Sequence, residues 1–315
     1  MTVDNENVRG LTDYESEELD EELEVLDEEL LPPVNELKRF FRVFFRRKIV
    51  LVSFIVVVVA MLVAVFADFV APFGPYEQNL HNVLAPPDST YLLGTDALGR
   101  CLLSRIIYGS RVAFSAGIST VLVSAAVGTL IGLIAGYSKG IVQTVIMRLT
   151  DALMSFPPII LALLIASILR MGVTGVVLAI AITLFPGYIR LICGQVMSVK
   201  QNDYVVAAKV AGIKTTHILL RHVMPNCLSP LIVQMTMMMG VAIMAEAGLS
   251  FLGIGILPPT PAWGSLTFDG YRFLMTRPLL SIAPGLAIMI LVFSFNMVGD
   301  GLRDALDPKL RGSLD

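Results

Sequence analysis

Six stretches of this chain, residues 49–67, 112–137, 149–169, 173–193, 227–252 and 279–298, run apolar for close to the length that crosses a bilayer. A hydrocarbon core of about 30 Å takes roughly 20 apolar residues of helix. Lipid offers no hydrogen bonds, so such runs must satisfy their backbone internally, as helices. The composition agrees: 315 residues, 55% hydrophobic, 16% charged, with a mean hydropathy of +0.76, fall outside the range of ordinary soluble domains. The expected fold class is an all-α membrane protein with six transmembrane helices.

Two of the six spans are interrupted. The third holds Asp151 and the pair Pro157-Pro158, and the fifth holds Glu246. Prolines in a span are tolerated where neighbouring helices satisfy the freed carbonyls, which places both spans inside a bundle; a re-entrant segment is the alternative for the third. The second span carries Gly128, Gly132 and Gly136 at steps of four, on one helical face. That spacing suits a close helix crossing, with a flexible hinge as the other reading.

Ionisable groups within spans are functional candidates because an unpaired charge in lipid is costly. Asp151 lies one turn from Arg148, an ordinary pair at the membrane interface. Glu246 stands in "MAEAGLSFLG" among Ala245, Ala247 and Gly248. It reads either as a hydrogen-bonded structural carboxylate facing other helices or as a proton or cation site.

Lys and Arg set the orientation. With the N-terminus inside, seventeen basic residues fall on inner segments and six on outer ones, the six being Arg100, Arg105, Arg111, Arg170, Arg272 and Arg277. Both termini are therefore expected in the cytoplasm. The residues before the first apolar run are strongly acidic, unlike a secretory signal, so the first span is expected to be retained. Cys101, Cys193 and Cys227 show no metal or disulfide spacing and read as small apolar fillers, with Cys101 a candidate exposed thiol.

Residues 1–35 form a compositional unit of their own, an acidic cytoplasmic tail with thirteen Asp or Glu against Arg9 alone. Leu19, Leu23, Leu26 and Leu30 share a helical face there, but so many like charges favour disorder. An acidic amphipathic helix for a basic partner is the competing reading. "RFFRVFFRRK" at residues 39–48 interleaves aromatics with cations beside the first span, as an anchor at an anionic inner leaflet would. The first span and outer loop then fill 36–111, the core transmembrane domain 112–303, and a cytoplasmic tail 304–315. Where the sixth span closes, Asp300, Arg303, Asp304 and Asp307 are spaced for local ion pairing.

Between the fourth and fifth spans, residues 203–226 read "DYVVAAKVAGIKTTHILLRHVMPN". Asp203 can cap a helix containing the small pair Ala207-Ala208, Gly212 can end it, "KTT" can open a second short helix, and Pro225 can close that one before the next span. Lys209, Lys214, His217, Arg221 and His222 add polar and basic groups on the inner side. A helix-turn-helix along the membrane face transmits force if a partner grips it.

This order resembles the cytoplasmic coupling loop of binding-protein-dependent ABC importer permeases: Glu-Ala-Ala, three residues, Gly, nine residues, Ile, any residue, Leu-Pro. Spacing is intact, with Val206 at the usual Glu, His222 at the Ile and Met224 at the Leu. Further stretches, "LGTDALGRCLLSRIIYGSRVAF" (93–114), "MRLTDALMSFPP" (147–158), "LSFLGIGILPPTPAWGSL" (249–266) and "NMVGDGLRDALDPKLRG" (296–312), are similar to the C-type permease subunit of dipeptide, oligopeptide and nickel importers.

The resemblance implies the binding-protein-dependent importer permease fold and a plasma-membrane heteromer. Its partners would be a B-type permease, two ATP-binding cassette subunits and an extracytoplasmic solute-binding protein, with no nucleic acid. The coupling loop would be Asp203, Ala207, Ala208, Gly212, His217, Arg221 and Pro225. The outer loops, which hold the single Trp263, would receive the binding protein, with plain loop packing as the alternative. No GxxxxGK[ST] phosphate loop occurs in the chain, so ATP and Mg would be handled by the partner ATPases and this subunit would be non-catalytic. Peptides are the expected cargo, with nickel or another small solute as the alternative. An ion-coupled carrier centred on Glu246 is a different class, and it would more often show two related halves, which are not seen here.

Overall fold

A computed structural model describes residues 36–169 and 172–306. The expectations for the acidic tail, Arg170, Asp307 and the rest of the C-terminal tail lie outside the described residues. Among these residues the regular structure is helical, apart from one isolated bridge between Thr95 and Cys101.

Helix α1 (Glu36–Phe44) is short and strongly amphipathic, with the Phe40 and Phe41 rings 5.5 Å apart. The rest of the described chain forms a unit of its own. It comprises α2 (Lys48–Val65), α3 (Leu102–Tyr137), α4 (Ile141–Met154), α5 (Pro158–Leu169), α6 (Gly172–Val199), α7 (Asp203–Val210), α8 (Thr215–Phe251), α9 (Trp263–Tyr271) and α10 (Leu279–Leu306). Five of these, α2, α3, α6, α8 and α10, are long and apolar enough to cross a membrane, and α4 with α5 makes a sixth if taken together.

The third expected span is thus not one rod. It starts earlier, at Ile141, and breaks between Met154 and Pro158 with a bend of 91°. Pro157 and Pro158 supply no amide N–H, and each ring crowds the residue before it out of the helical region. The second span also begins ten residues before the expected Val112, because the helix continues through the polar segment from Leu102. A hydropathy reading ends a span at its charges; the helix does not.

The extensive contact of the fold joins α3 to α6. A methyl group at Gly128 would stand 2.5 Å from the Tyr188 Cβ, one at Gly132 2.8 Å from the Ile192 Cβ, and one at Gly136 2.6 Å from the Val196 Cβ. Three glycines at i, i+4, i+8 therefore meet three residues at the same spacing. Lipid is as apolar as a leucine side chain, so helices associate in a bilayer through close van der Waals contact, which this stripe supplies.

The three cysteines are buried, as small apolar fillers are, and the exposed thiol offered as the alternative for Cys101 does not hold. The bridge to Thr95 and the start of α3 enclose it. At the C-terminal end, Asp304 pairs with Arg47 at the start of α2, 3.2 Å away, rather than within the local cluster the spacing suggested. Packing of α10 against α2 brings the two together.

Candidate functional site

The segment after α6 turns twice. Asn202 takes the N-cap position of α7 with extended backbone, and Asp203 is the first helical residue, so the expected cap is displaced by one. There its carboxylate still complements the positive end of the helix. After α7, Gly212 adopts φ +75°, the left-handed conformation that closes a helix and that β-carbons resist.

The second short helix is not separate, contrary to the expected boundary at Pro225. Thr215–Ile218 passes through a π turn, Leu219–Val223, into Met224–Phe251, so α8 is continuous. Pro225 falls in the first turn of the resumed α-helix. The widened turn before it accommodates a residue that cannot donate an N–H. Asn226 Nδ2 donates to the His222 carbonyl at 2.6 Å.

Two faces of this segment differ. Val205, Ala208, Ile218 and Val223 are buried in one cluster with Leu133 of α3, Ile192 and Val196 of α6, and Leu231 of α8. The opposite face leaves Val206, Ala207, Val210, Ile213 and Leu220 exposed, Val210 to 84%. Lys209, Lys214, His217 and Arg221 surround them, with His217 and His222 ring centroids 6.2 Å apart. Lys200 Nζ donates to the Gly136 carbonyl at 2.7 Å, tying the end of α6 to the end of α3. The segment thus presents an exposed apolar strip beside basic side chains and is backed by a continuous core.

Glu246 is 1% exposed and accepts a hydrogen bond from Ser250 Oγ at 2.7 Å; Ser250 Oγ in turn accepts from the Ile256 amide at 2.9 Å. This chain of bonds fastens the end of α8 to the loop that follows. Asp151 does not pair with Arg148. Its Oδ1 accepts from the Arg190 guanidinium at 2.6 Å, because α4 lies along α6.

At the end of the fold holding residues 84–101 and 253–278 lies a charged cluster that hydropathy does not reveal. Asp96 Oδ2 accepts from Arg100 Nε at 2.7 Å and from Arg105 Nη1 at 2.6 Å, while its Oδ1 accepts from the Leu98 and Arg100 amides. Burial pushes the Asp96 carboxyl up, but the Arg100 and Leu98 amides and the Arg100 charge outweigh it and hold it below the usual carboxylate value. Asp269 nearby is raised, by burial first, with Arg105 and Arg100 offsetting part of that. Asp96 and Arg100 stand four apart in a turn and not in a helix, and Arg105 lies in the first turn of α3, so helical spacing carried no signal for this cluster.

Trp263 is buried at 5% exposure and donates from Nε1 to the Ile106 carbonyl at 2.8 Å. Arg277 Nε donates to the Leu84 carbonyl at 2.8 Å, joining the two loop regions. Loop packing is what this geometry shows for Trp263.

Residues 128–312 match the model of the binding-protein-dependent transport system inner membrane component, and residues 36–87 match the N-terminal TM domain of oligopeptide transport permease C. The dipeptide transport system permease protein DppC of Haemophilus influenzae is 43% identical over 285 residues, 89% of this chain and 97% of that protein. The di/tripeptide transport system permease protein DppC of Pseudomonas aeruginosa is 41% identical, covering 89% of this chain and 94% of that one. The glutathione transport system permease protein GsiD of Pectobacterium atrosepticum is 38% identical over 87% of this chain and 91% of its own length. Among solved structures, a chain of the MetNI methionine ABC transporter in inward-facing conformations matches with TM-score 0.52 at 14% identity, over 65% of this chain and 98% of that one.

Proposed function

The chain belongs to the family of binding-protein-dependent transport system inner membrane components, and on that premise we propose that it forms half of the path by which peptides enter in an ATP-driven importer. It is the permease subunit, a multi-pass membrane protein and a transport component. Peptide as cargo is supported by the relatives, dipeptide and di/tripeptide permeases at 43% and 41% identity.

In this reading a second permease completes the path, two ATPase subunits bind ATP and Mg, and an extracytoplasmic binding protein delivers the peptide. Both termini face the cytoplasm, as the excess of Lys and Arg on the inner segments favours. The observation that carries the reading is the two-faced segment from Asp203 to Val223. Its exposed face, Val206, Val210 and Leu220, offers the ATPase an apolar grip. Its buried face belongs to the same cluster as α3, α6 and α8. A displacement of α7 by a closing ATPase dimer is thereby delivered to three helices together. ATP favours the ATPase arrangement that the outward-facing bundle matches, and the bundle population shifts accordingly.

The test is co-purification of this chain with ATPase and second permease subunits in detergent, followed by ATP-dependent uptake of a labelled dipeptide by the reconstituted complex. ATPase subunits in the complex and peptide in the vesicles are the expected result. A chain that purifies alone and moves solute without ATP overturns the reading.

A further inference from the structure

Arg190 and Asp151 form an ion pair within the apolar part of the chain, and neither is covered. Their side chains are 52% and 46% exposed. Arg190 lies nine residues before the end of α6 at Val199, about 14 Å along the axis at 1.5 Å per residue. Because α6 runs on past residue 193, where the expected fourth span ends, Val199 can be taken as the inner boundary; the pair then sits near mid-depth of a core of about 30 Å, and Arg190 leaves the set of cations counted on the inner segments.

A half-exposed pair at that depth cannot face lipid, where charges are carried only toward protein or water. A dry interface with a second subunit suits it poorly as well. Among the described residues the Arg190 guanidinium donates to one oxygen, Asp151 Oδ1, which leaves its other donors and Asp151 Oδ2 to be satisfied from outside the chain. Sealing them away without partners would be strongly unfavourable. The same flank of α6 is open above and below the pair, for a methyl group at Gly187 or at Gly194 would meet nothing within 4 Å. The 91° bend after Met154 turns α5 aside only three residues beyond Asp151.

From this juxtaposition we infer that Asp151 and Arg190 line the aqueous translocation path and form a transient subsite for the charged ends of a zwitterionic peptide. The peptide carboxylate takes the free donors of Arg190, and its ammonium takes the free oxygen of Asp151. Charge-assisted bonds of this kind are the stronger class, and the guanidinium fork matches a carboxylate geometrically. One acid beside one base fits a substrate that carries both charges and no net charge. This inference rests on the peptide-importer reading above.

The test uses the assembled transporter in proteoliposomes. The thiol of Arg190→Cys is exposed to a membrane-impermeant cationic methanethiosulfonate reagent with and without dialanine; the native cysteines are buried and keep the background low. Modification that dialanine slows is expected. In parallel, ATP-driven uptake of dialanine and of its C-amidated form is measured for wild type, Arg190→Gln and Arg190→Lys. Arg190→Gln is expected to raise KM for dialanine about tenfold, to flatten the preference over the amidated peptide, and to be partly rescued by Arg190→Lys. An unmodified thiol in a complex of normal abundance overturns the inference and assigns the pair to a subunit interface. An unchanged preference ratio in Arg190→Gln also overturns it. Absence of peptide uptake in the wild-type complex overturns the peptide reading itself and the ligand assigned here, and labelling then reports separately whether the pair faces water.

Discussion

The Gly132 Cα of α3 approaches Ile192 of α6 so closely that a single added methyl would stand 2.8 Å from the Ile192 Cβ and 3.0 Å from the Ile189 carbonyl oxygen. No real carbon contact is that short, so any side chain there must separate the two helices. The same helices carry the residues against which α7 is buried. Gly132→Val is therefore expected to destabilise the folded permease by about 1–3 kcal/mol or more, read as reduced membrane abundance and a lower melting temperature in detergent. Gly285→Ala is the control, since its methyl meets open space and a helical Gly-to-Ala change is favourable by about 1 kcal/mol. Equal effects of the two would remove the tight crossing from the account.

Gly212 holds φ +75° with open space around it, so a substitution there acts through the backbone and not through a clash. A β-branched residue in the left-handed region costs about 1–2 kcal/mol. Gly212→Val is expected to leave the permease in the membrane while lowering uptake per ATP hydrolysed, and Gly212→Asn, which tolerates that region, should retain coupling. Normal stoichiometry in Gly212→Val would count against a rigid lever.

Val210 is 84% exposed on a helix whose other side is buried. Replacing it with aspartate disturbs no internal packing but places a charge in the proposed grip. Val210→Asp should keep its abundance and lose co-purifying ATPase. Unchanged recovery of the ATPase subunits would move the docking surface elsewhere.

The Asp96 cluster predicts a sign for acid stability. Asp96 has a folded-state pKa below its ordinary value of 3.8, so its contribution is fully present above that value and is lost as pH falls through the lower, folded one. Asp269 is shifted the other way, and its burial opposes folding once the carboxylate is ionised above the unfolded value. Asp96→Asn should then destabilise by about 3–5 kcal/mol by leaving the buried Arg105 without its acid, whereas Asp269→Asn should be neutral or stabilising at pH 7. Thermal unfolding of the two variants at pH 7 checks the contrast.

Glu246 is enclosed and bonded to Ser250, which in turn holds the Ile256 amide. Glu246→Gln preserves an acceptor for Ser250 and is expected to leave the pH profile of uptake unchanged, while Glu246→Ala lowers abundance. A displaced pH profile in Glu246→Gln would instead indicate proton coupling.

Periodicity and turn chemistry carried much of this molecule in plain sight. The apolar runs specify spans because a bilayer demands about 20 apolar residues of satisfied backbone, and Ala207-Ala208, Gly212 and Pro225 stand in an order that resembles the coupling loop of importer permeases. Glycines at steps of four announce a close crossing without naming the partner. The partner, α6, is a matter of tertiary structure, as are the pairing of Asp151 with Arg190 rather than Arg148 and of Asp304 with Arg47. In each case the choice depends on which helices lie side by side, and distances across the bundle leave no trace in sequence spacing. The run of α8 through Pro225 and the early start of α3 belong there too, since helical hydrogen bonding continues where hydropathy stops. Local chemistry determined the apolar spans and the turn at Gly212; the fold alone decided which charges meet, because ion pairs between helices are settled by packing.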